Sequence, residues 1–432
     1  MVNICVVAMG KIGLPLAVQF ASMGHKVIGT DVNENTVKFI NDGLEPFPGE
    51  AYLQEKLVQV VASGNLVATS DTTGSVEKSE VVVVVVPLFV DSEGVPDFGW
   101  LDDATVSIGR GIKKGTLVSY ETTLPVGTTR NRFAKILEVE SGLTAGVDFY
   151  LAFSPERVFT GRVFEDLRKY PKLVGGINEV SGQKAKEFYE SVLEFDYRND
   201  LPKENGVWNL GSCEASELAK LAETTYRDVN IGLANQFARF SESQGIDIYS
   251  VIEACNSQPF SHLHQPGIAV GGHCIPIYPR MYLWNDPSAT IVQAARDANS
   301  NMPSYAVDML EKYHGSLKGQ SVVVLGASYR GGVKETAFSG VFAIVEALIK
   351  KGAVPLVNDP LYTHEELKAL MFTPYDFGMP ADAAIIQANH LEYSSINSDD
   401  LPGVRTVLDG RKLLKPNQLH NANVFVLGAS NP

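Results

Sequence analysis

The chain has 432 residues, more than one ordinary hydrophobic core can serve, so two or three domains are expected. Its hydrophobic content of 45% and charged content of 20% are typical of a soluble globular protein. The 36 basic and 50 acidic residues give a net charge of -14, which argues against nucleic acid or an anionic membrane surface as a partner.

Cysteine use and the N-terminal residues favour a cytoplasmic protein. Cys5, Cys213, Cys255 and Cys274 form neither a CxxC motif nor a metal-ligand spacing, so we expect free thiols, a reducing compartment and no metal site. The first residues lack the basic and apolar regions of a signal peptide. The apolar run 81–86 is far too short to span a membrane.

The first 31 residues predict a dinucleotide-binding unit. An apolar strand at 4–7 is followed by a turn with Gly10 and Gly13 and by a helical stretch at 16–21. A second strand follows at 27–29, and the acidic residue Asp31 ends the unit. A pyrophosphate would lie near Gly10 and Gly13 at the helix N-terminus, and Asp31 would accept from a ribose hydroxyl. The carboxylate favours NAD over NADP, because it repels a 2′-phosphate. Ala8 stands at the first glycine position of the motif, and a purely structural βαβ unit is the alternative.

Further βαβ units are expected, with strands at 81–86 and 117–120. Hydroxyl residues 122–129 follow the second strand, where ligands of open parallel sheets bind. The same hydroxyls could instead cap the helix that begins near Thr129. A third apolar run, 150–153, ends close to Glu156, whose carboxylate could also be a solvated loop charge.

A helical period over 213–244 predicts one helix of roughly 30 residues, about 45 Å long, which could link two domains. Its apolar positions recur at threes and fours: Leu218, Leu221, Thr225, Val229, Leu233, Phe237 and Phe240. Another face carries stacked polar residues: Lys220, Thr224, Arg227 and Asn230. A surface ion pair between Glu223 and Arg227 is the alternative to a functional role for that face.

The segment 270–276 predicts a shaped loop that carries a thiol. Gly271 and Gly272 allow a tight turn and a close approach to a ligand, and Pro276 follows. Cys274 in such a loop can act as a nucleophile if a neighbouring cation favours its thiolate. The alternative is a small buried hydrophobic residue.

Residues 320–359 repeat the plan of the N-terminus: a strand at 321–325, Gly326, a helix at 342–350, a strand at 354–357 and Asp359. The glycine-to-acid interval is 21 residues for Gly10 to Asp31 and 33 for Gly326 to Asp359. We therefore expect a second doubly wound domain whose turn is reshaped for something other than a dinucleotide. Later strands are expected at 383–386 and 404–408.

Sequence blocks along nearly the whole chain resemble the UDP-glucose/GDP-mannose dehydrogenase family. They are, in order, 13–15, 123–128, 155–158, 220–221, 227–231, 266–267, 271–276, 358–360 and 409–411. Pro-Glu-Arg-Val at 155–158 and Gly-Gly-His-Cys-Ile-Pro at 271–276 look like the branch that acts on UDP-N-acetylhexosamines.

The resemblance implies an α/β fold with two Rossmann-like doubly wound parallel-sheet domains joined by a long central helix. It implies an NAD-binding domain at 1–205, a central helical and dimerisation domain with the cysteine loop at 206–300, and a UDP-sugar-binding domain at 301–432. A homodimer is expected by the same analogy.

The activity that the resemblance implies is a four-electron oxidation of sugar C6 to a uronic acid, with two NAD⁺ reduced and a thiohemiacetal and thioester on the cysteine. Cys274 is then the nucleophile. Lys220 is a base or oxyanion partner whose charge favours the thiolate. Glu156 activates the hydrolytic water, and Thr123 helps to place it.

Binding residues are also implied by the resemblance. Those for NAD are Gly10, Lys11, Ile12, Gly13, Asp31, Pro87 and Thr123. Those for the UDP-sugar are Arg157, Val158, Lys220, Thr224, Arg227, Asn230, Gly267, Gly271, Gly272 and Arg330. The arginines suit a diphosphate, because a guanidinium pairs with phosphate through two parallel hydrogen bonds.

Five positions depart from the family pattern. Tyr278, Thr224, Ala269, Ala337 and Leu88-Phe89 stand where the family has Asp, Asn, Gly, Arg and Thr-Pro. They predict a subgroup with rearranged contacts around the site, or an impaired paralogue. The alternatives to a UDP-N-acetylhexosamine (UDP-ManNAc or UDP-GlcNAc) 6-dehydrogenase are a UDP-glucose 6-dehydrogenase, a two-electron 2-hydroxyacid-type dehydrogenase and a non-catalytic nucleotide-sugar sensor.

Overall fold

A computed structural model of the chain describes residues 1–91 and 94–431. The chain forms two compact units, Met1–Ala222 and Glu223–Pro432, each with its own sheet. Within the described residues, no helix combines the length and the apolar content needed to cross a membrane.

The first unit is an α/β sandwich. Its strands are β1 (Asn3–Val7), β2 (Lys26–Thr30), β3 (Leu66–Thr69), β4 (Val81–Val84), β5 (Phe89–Val90), β6 (Pro96–Asp97), β7 (Leu117–Tyr120), β8 (Tyr150–Phe153), β9 (Lys172–Gly176) and β10 (Val207–Asn209). Its helices are α1 (Gly13–Ser22), α2 (Glu34–Asn41), α3 (Leu53–Ala62), α4 (Thr72–Val76), α5 (Gly99–Gly111), α6 (Ala134–Ser141), α7 (Val163–Lys169) and α8 (Glu179–Val192), with a π-helical turn at Thr129–Phe133.

The main sheet of this unit has the strand order β10-β9-β8-β7-β4-β1-β2-β3. Neighbouring strands run parallel except β8 and β9, which pair antiparallel. Ile4 and Val6 of β1 belong to one hydrophobic cluster, whereas Cys5 and Val7 belong to another. Because successive strand residues point to opposite faces, both faces of the sheet are covered, as in a doubly wound fold.

A single long helix, α9 (Cys213–Ser243), runs from the first unit into the second and confirms the predicted helix. Leu221 is buried, but other predicted apolar positions of α9 are exposed: Leu218, Leu233, Phe237 and Phe240.

The second unit continues with α10 (Ile248–Asn256), α11 (Tyr278–Asn285), α12 (Thr290–Ser300), α13 (Met302–His314), α14 (Gly340–Lys350) and α15 (His364–Ala369). Its strands are β11 (Ser321–Leu325), β12 (Val354–Asn358), β13 (Ala383–Ile386), β14 (Thr406–Asp409) and β15 (Asn423–Val426), and a 3₁₀ turn lies at Leu391–Ser395. The strands form a parallel sheet in the order β12-β11-β13-β14-β15.

This second sheet is also covered on both faces, because Val322 and Val324 pack in one cluster while Val323 and Leu325 pack in another. The predicted fold class of two Rossmann-like doubly wound units with a long helix is therefore confirmed. The strand β15 was not expected from the sequence.

Candidate active site

The turn between β1 and α1 requires glycine at position 13. A β-carbon on Gly13 would lie 1.9 Å from the carbonyl oxygen of Ala8 and 2.7 Å from Cγ2 of Val85. Ala8 has a φ of 75°, a left-handed conformation that glycine adopts more easily. Its N–H donates to the carbonyl of Thr30 at 2.8 Å, which ties the turn to β2.

A cavity of about 590 Å³ opens beside this turn. Its walls bring together six of the seven residues predicted to bind NAD: Gly10, Lys11, Ile12, Gly13, Asp31 and Pro87. Thr123, the seventh, is buried and does not line it. Among the described residues, no atom outside Gly10 and its two chain neighbours lies within 4 Å of the position that a β-carbon on Gly10 would take, so the backbone there is open to a pyrophosphate. Val32 and Trp100 also line the cavity and were not predicted.

Asp31 is held in a fixed orientation at the end of β2. Its Oδ2 accepts from the N–H of Met9 at 2.9 Å, and its Oδ1 accepts from the N–H of Asn33 at 2.8 Å. Each carboxylate oxygen has a second lone pair, so Asp31 can still accept from a ribose hydroxyl. The residues around this cavity therefore fit NAD.

The equivalent acid of the second unit has different surroundings. Asp359 follows β12 and accepts from the N–H groups of Ala327 and Ser328 at 2.9 and 2.8 Å, much as Asp31 accepts from Met9. It also contacts Nε2 of His390 at 3.1 Å, and both side chains are fully buried. A carboxylate enclosed in this way serves the packing of the unit. That this turn is reshaped for something other than a dinucleotide stays a prediction.

Hydroxyl groups after β7 bind the backbone instead of capping the next helix. Thr122 donates to the carbonyl of Val86 at 2.6 Å, and Thr128 donates to that of Pro125 at 2.7 Å. Glu217 of α9 fixes the far end of this loop, since it accepts from the N–H and the hydroxyl of Thr129 at 2.9 and 2.7 Å. Burial raises the pKa of Glu217 to about 7, although these hydrogen bonds act to lower it.

Glu156 belongs to a buried charged cluster. Its Oε2 lies 2.9 Å from Nζ of Lys172, which also lies 2.6 Å from Oε2 of Glu121. The Glu156 side chain is 11% exposed, so it is not the solvated loop charge that the sequence left open. Arg157 and Val158 line a small cavity next to it with Lys172.

The polar face of α9 is partly buried. Lys220 and Thr224 are buried, whereas Arg227 and Asn230 are partly exposed. Lys220 lies in the first unit, and the other three belong to the second.

A cavity of about 480 Å³ in the second unit gathers glycines, aromatic rings and cations. Of the predicted binding residues, Gly267 and Gly271 line it, while Arg330 does not. Arg330 is exposed, and its Nε donates to the hydroxyl of Tyr329, a lining residue, at 3.0 Å.

Two cations of this cavity were not predicted. The Nε of partly buried Arg411 donates to the carbonyl of Gln387 at 2.6 Å, and burial lowers its pKa to about 10. Nζ of Lys412 lies 3.8 Å from the ring centroid of Tyr249. Cations with tyrosine rings suit a nucleotide, since the cations pair with phosphate and the rings pack against a base. The Asp-Gly-Arg block at 409–411 was the sequence signal for Arg411.

Cys274 is an exposed residue in a bend, not a buried hydrophobic residue. Two glycines precede it. A β-carbon on Gly271 would lie 2.6 Å from Cβ of Tyr329, and Gly272 has a φ of 90°. By contrast Cys5 is buried, and burial raises the pKa of its thiol to about 12. Cys274 therefore has the accessibility that a nucleophile needs.

The residue four positions beyond the cysteine begins α11. The N–H of Tyr278 donates to the carbonyl of Cys274 at 2.9 Å, so the cysteine is tied to the first turn of this helix. His273, the residue before the cysteine in the sequence, has its Nε2 3.3 Å from Oε2 of Glu335.

Comparison with known proteins gives matches along nearly the whole chain. The family models for the UDP-glucose/GDP-mannose dehydrogenase NAD-binding, central and UDP-binding domains match residues 2–193, 214–301 and 323–416. The UDP-N-acetyl-D-mannosamine dehydrogenase of Pyrococcus horikoshii is 33% identical over 425 residues, which are 96% of each protein.

Solved structures give the same result. The structure of UDP-D-ManNAc dehydrogenase from Pyrococcus horikoshii matches with a TM-score of 0.86 and 30% identity, covering 99% of this chain and all of that one. A UDP-glucose dehydrogenase from Pyrobaculum islandicum matches with a TM-score of 0.84 and 26% identity over 98% of this chain and 97% of the other. This chain belongs to the UDP-glucose/GDP-mannose dehydrogenase family and is an NAD-dependent nucleotide-sugar dehydrogenase.

Proposed function

We propose that the protein oxidises C6 of a UDP-N-acetylhexosamine, UDP-ManNAc or UDP-GlcNAc, to the uronic acid. The similarity to UDP-N-acetyl-D-mannosamine dehydrogenases along almost the entire chain supports this substrate class. The second-unit cavity, with Arg411, Lys412 and its tyrosine rings, supports a nucleotide diphosphate as the anchoring group.

The observation that carries a four-electron reaction is the exposed thiol of Cys274 on its glycine loop. Bound NAD⁺ supplies the hydride acceptor for each oxidation. Cys274 adds to the C6 aldehyde, and the thiohemiacetal becomes a thioester when it is oxidised. Lys220 stabilises the developing oxyanion. Glu156 removes a proton from the water that hydrolyses the thioester, and Thr123 helps to place that water.

The predicted binding roles complete the proposal. NAD is held by the cavity residues of the first unit and by Thr123. The UDP-sugar is held by the polar residues of α9, by the glycines at 267, 271 and 272, by Arg157 and Val158, and by Arg330. Arg411 is added to this set because it lines the second-unit cavity.

A stoichiometric assay tests the proposal. Purified protein with NAD⁺ and a panel of UDP-sugars should form two NADH per uronate. Replacing Cys274 with Ala should stop uronate formation, while Cys255→Ser, which changes a partly buried thiol in the same unit, should leave it unchanged. Full uronate formation by Cys274→Ala would reject the thiol mechanism.

UDP-glucose oxidation is the second candidate, because a UDP-glucose dehydrogenase has nearly the same fold. A higher kcat/KM for UDP-glucose than for both UDP-N-acetylhexosamines would select it. Binding of NAD and UDP-sugar without any turnover would instead indicate a nucleotide-sugar sensor.

We propose further that the protein is a homodimer that works in the cytoplasm. Its four cysteines are free thiols, as in a reducing compartment. One face of α9 exposes large apolar residues at helical spacing: Leu218, Tyr226, Leu233, Phe237 and Phe240. An exposed apolar stripe of this length suits a second copy of the chain. Phe240→Glu should convert a dimer into a monomer in sedimentation velocity, and a wild-type monomer would refute the dimer.

A further inference from the structure

Two carboxylates share one buried ammonium group in the first unit. Nζ of Lys172 lies 2.6 Å from Oε2 of Glu121 and 2.9 Å from Oε2 of Glu156. Of the three side chains, Glu121 is fully buried, Lys172 is 4% exposed and Glu156 is 11% exposed. We call these residues the Glu–Lys–Glu triad. One ammonium cannot neutralise two buried carboxylates, and an unbalanced buried charge is costly, so the triad favours binding one extra proton.

The surroundings place that proton on Glu121. Burial raises the pKa of Glu121 to about 7 against the charge of Lys172. Burial opposes ionisation of Glu156 too. The charge of Lys172 and a hydrogen bond from the Arg157 N–H to Oε1, at 2.6 Å, outweigh this effect of burial, so the pKa of Glu156 is lowered. Near neutral pH the two carboxyl groups therefore differ. Glu156 is an ionised acceptor, and Glu121 changes its protonation state.

Groups from the neighbouring elements fix Glu121. The hydroxyl of Tyr189, on α8, donates to Oε1 of Glu121 at 2.6 Å and lies 2.8 Å from the hydroxyl of Ser119 on β7. Burial and the negative charge of Glu121 raise the pKa of Tyr189 well above its usual value, so the phenol remains a donor. Nζ of Lys172 lies 4.9 Å from the Tyr189 ring centroid.

The charged groups beside Glu156 have structural partners. Asp166, on α7, lines the same small cavity and accepts from the N–H of Phe159 and from Nε of Arg162. Nη1 of Arg157 donates to the carbonyl of Pro171 at 3.3 Å. Lys172 is thus the ammonium that connects the two glutamates.

From this geometry we propose that Lys172 and Glu121 are positioning residues for Glu156, and that Glu121 receives the proton that Glu156 takes from the hydrolytic water. This inference rests on the proposed role of Glu156. As a water O–H bond breaks, its oxygen forms a bond to the thioester carbon, and the carbon–sulfur bond breaks with its electron pair going to the Cys274 sulfur. The proton on Glu156 passes to Lys172 while Lys172 gives another proton to Glu121, so Glu156 is again ionised.

The first test uses Glu121→Gln, which keeps the size of the side chain and removes the proton acceptor. We expect the first hydride transfer, followed as NADH formation in stopped flow, to stay within about twofold of wild type. Thioester hydrolysis, followed by mass spectrometry of the Cys274 adduct in a single turnover, should slow by about tenfold or more. In the wild type this step should accelerate as pH rises through about 7, and Glu121→Gln should lose that dependence.

A second variant separates this role from a purely structural one. Tyr189→Phe removes the hydrogen bond that stabilises ionised Glu121, so the midpoint of the hydrolysis pH profile should move to higher pH. Lys172→Arg keeps the positive charge but cannot pass on a proton, because a guanidinium stays protonated, so it should slow hydrolysis about as much as Glu121→Gln does. Glu165→Gln, which breaks the exposed Glu165–Lys169 pair in the same unit, is the matched control and should change neither step.

Two results overturn the proposal. One is hydrolysis in Glu121→Gln with the wild-type rate and pH profile. The other is an equal loss in both chemical steps together with an unshifted profile in Tyr189→Phe. A substrate-free measurement keeps this test independent of the proposed reaction. In the infrared difference spectrum of wild type minus Glu121→Gln, a protonated-carboxyl band should appear below about pH 7, because the band of Glu217 is common to both proteins and cancels. Its absence from the difference spectrum refutes the triad even if no sugar is turned over.

Discussion

Nε2 of His390 lies 3.1 Å from Oδ2 of Asp359, and both side chains are fully buried in the second unit. The same carboxylate accepts from the backbone N–H groups of Ala327 and Ser328. This arrangement connects the ends of β11 and β12 with the segment after β13, so Asp359 organises the carboxyl edge of the second sheet.

Replacing Asp359 with Asn should destabilise the protein by about 2–4 kcal/mol, because the amide cannot accept all of these hydrogen bonds and leaves buried donors unpaired. Urea unfolding at pH 7 measures the loss. Asp376→Asn is the control, since Asp376 forms an exposed pair with His364 at 2.8 Å, and it should cost less than about 1 kcal/mol.

The stability lost in Asp359→Asn should depend on pH. Burial would raise the pKa of Asp359, but His390 and the backbone N–H groups outweigh it and lower the pKa. The stabilisation is therefore present above the unfolded value of about 4 and is lost as pH falls through the folded value. The stability difference between wild type and Asp359→Asn should narrow below about pH 4, and a constant difference would contradict this account.

Two glycines of the β1–α1 turn should respond differently to alanine. Gly13→Ala places a methyl group against the Ala8 carbonyl and should lower the thermal midpoint by several degrees. A methyl group at position 10 meets open space in the NAD cavity, so Gly10→Ala should fold normally. Because the methyl group takes space that the pyrophosphate would occupy, the variant should bind NAD more weakly by about tenfold or more. Calorimetry of folding and of NAD binding separates the two effects, and equal losses of stability would contradict the assigned roles.

Asp31→Asn should reduce the preference for NAD over NADP. The amide keeps the shape of the side chain but removes the negative charge that repels a 2′-phosphate. We expect the ratio of kcat/KM for NAD to that for NADP to fall by about tenfold or more. An unchanged ratio would show that another group selects the cofactor.

Arg411→Lys should weaken UDP binding by about tenfold or more, because lysine cannot reproduce a guanidinium that bonds the Gln387 carbonyl while facing the cavity. Arg405→Lys, at an exposed position of the same unit, should bind UDP as wild type does. Titration calorimetry with UDP measures both variants, and NAD binding should remain unchanged in each.

Secondary structure was predictable wherever a strong local pattern exists. The strands β1, β7, β8 and β13 lie where apolar runs predict them, since a buried parallel strand is apolar on both faces. The helix α9 ends within one residue of its prediction because its helical period continues over about eight turns, with Gly232 as the one glycine inside it. The short strand β15 lies on a comparable apolar run, 424–427, which the sequence analysis did not interpret as a strand, and its pairing with β14 is a tertiary interaction.

The sequence by itself determined the two doubly wound units, the NAD-binding turn and the cysteine loop, because glycines, apolar runs and acids at fixed spacings act locally. Only the tertiary structure decided that Lys172 joins Glu121 to Glu156, and that Arg411 packs against Gly267. Those residues are far apart along the chain, and the order of strands in each sheet, which no local pattern encodes, brings them together.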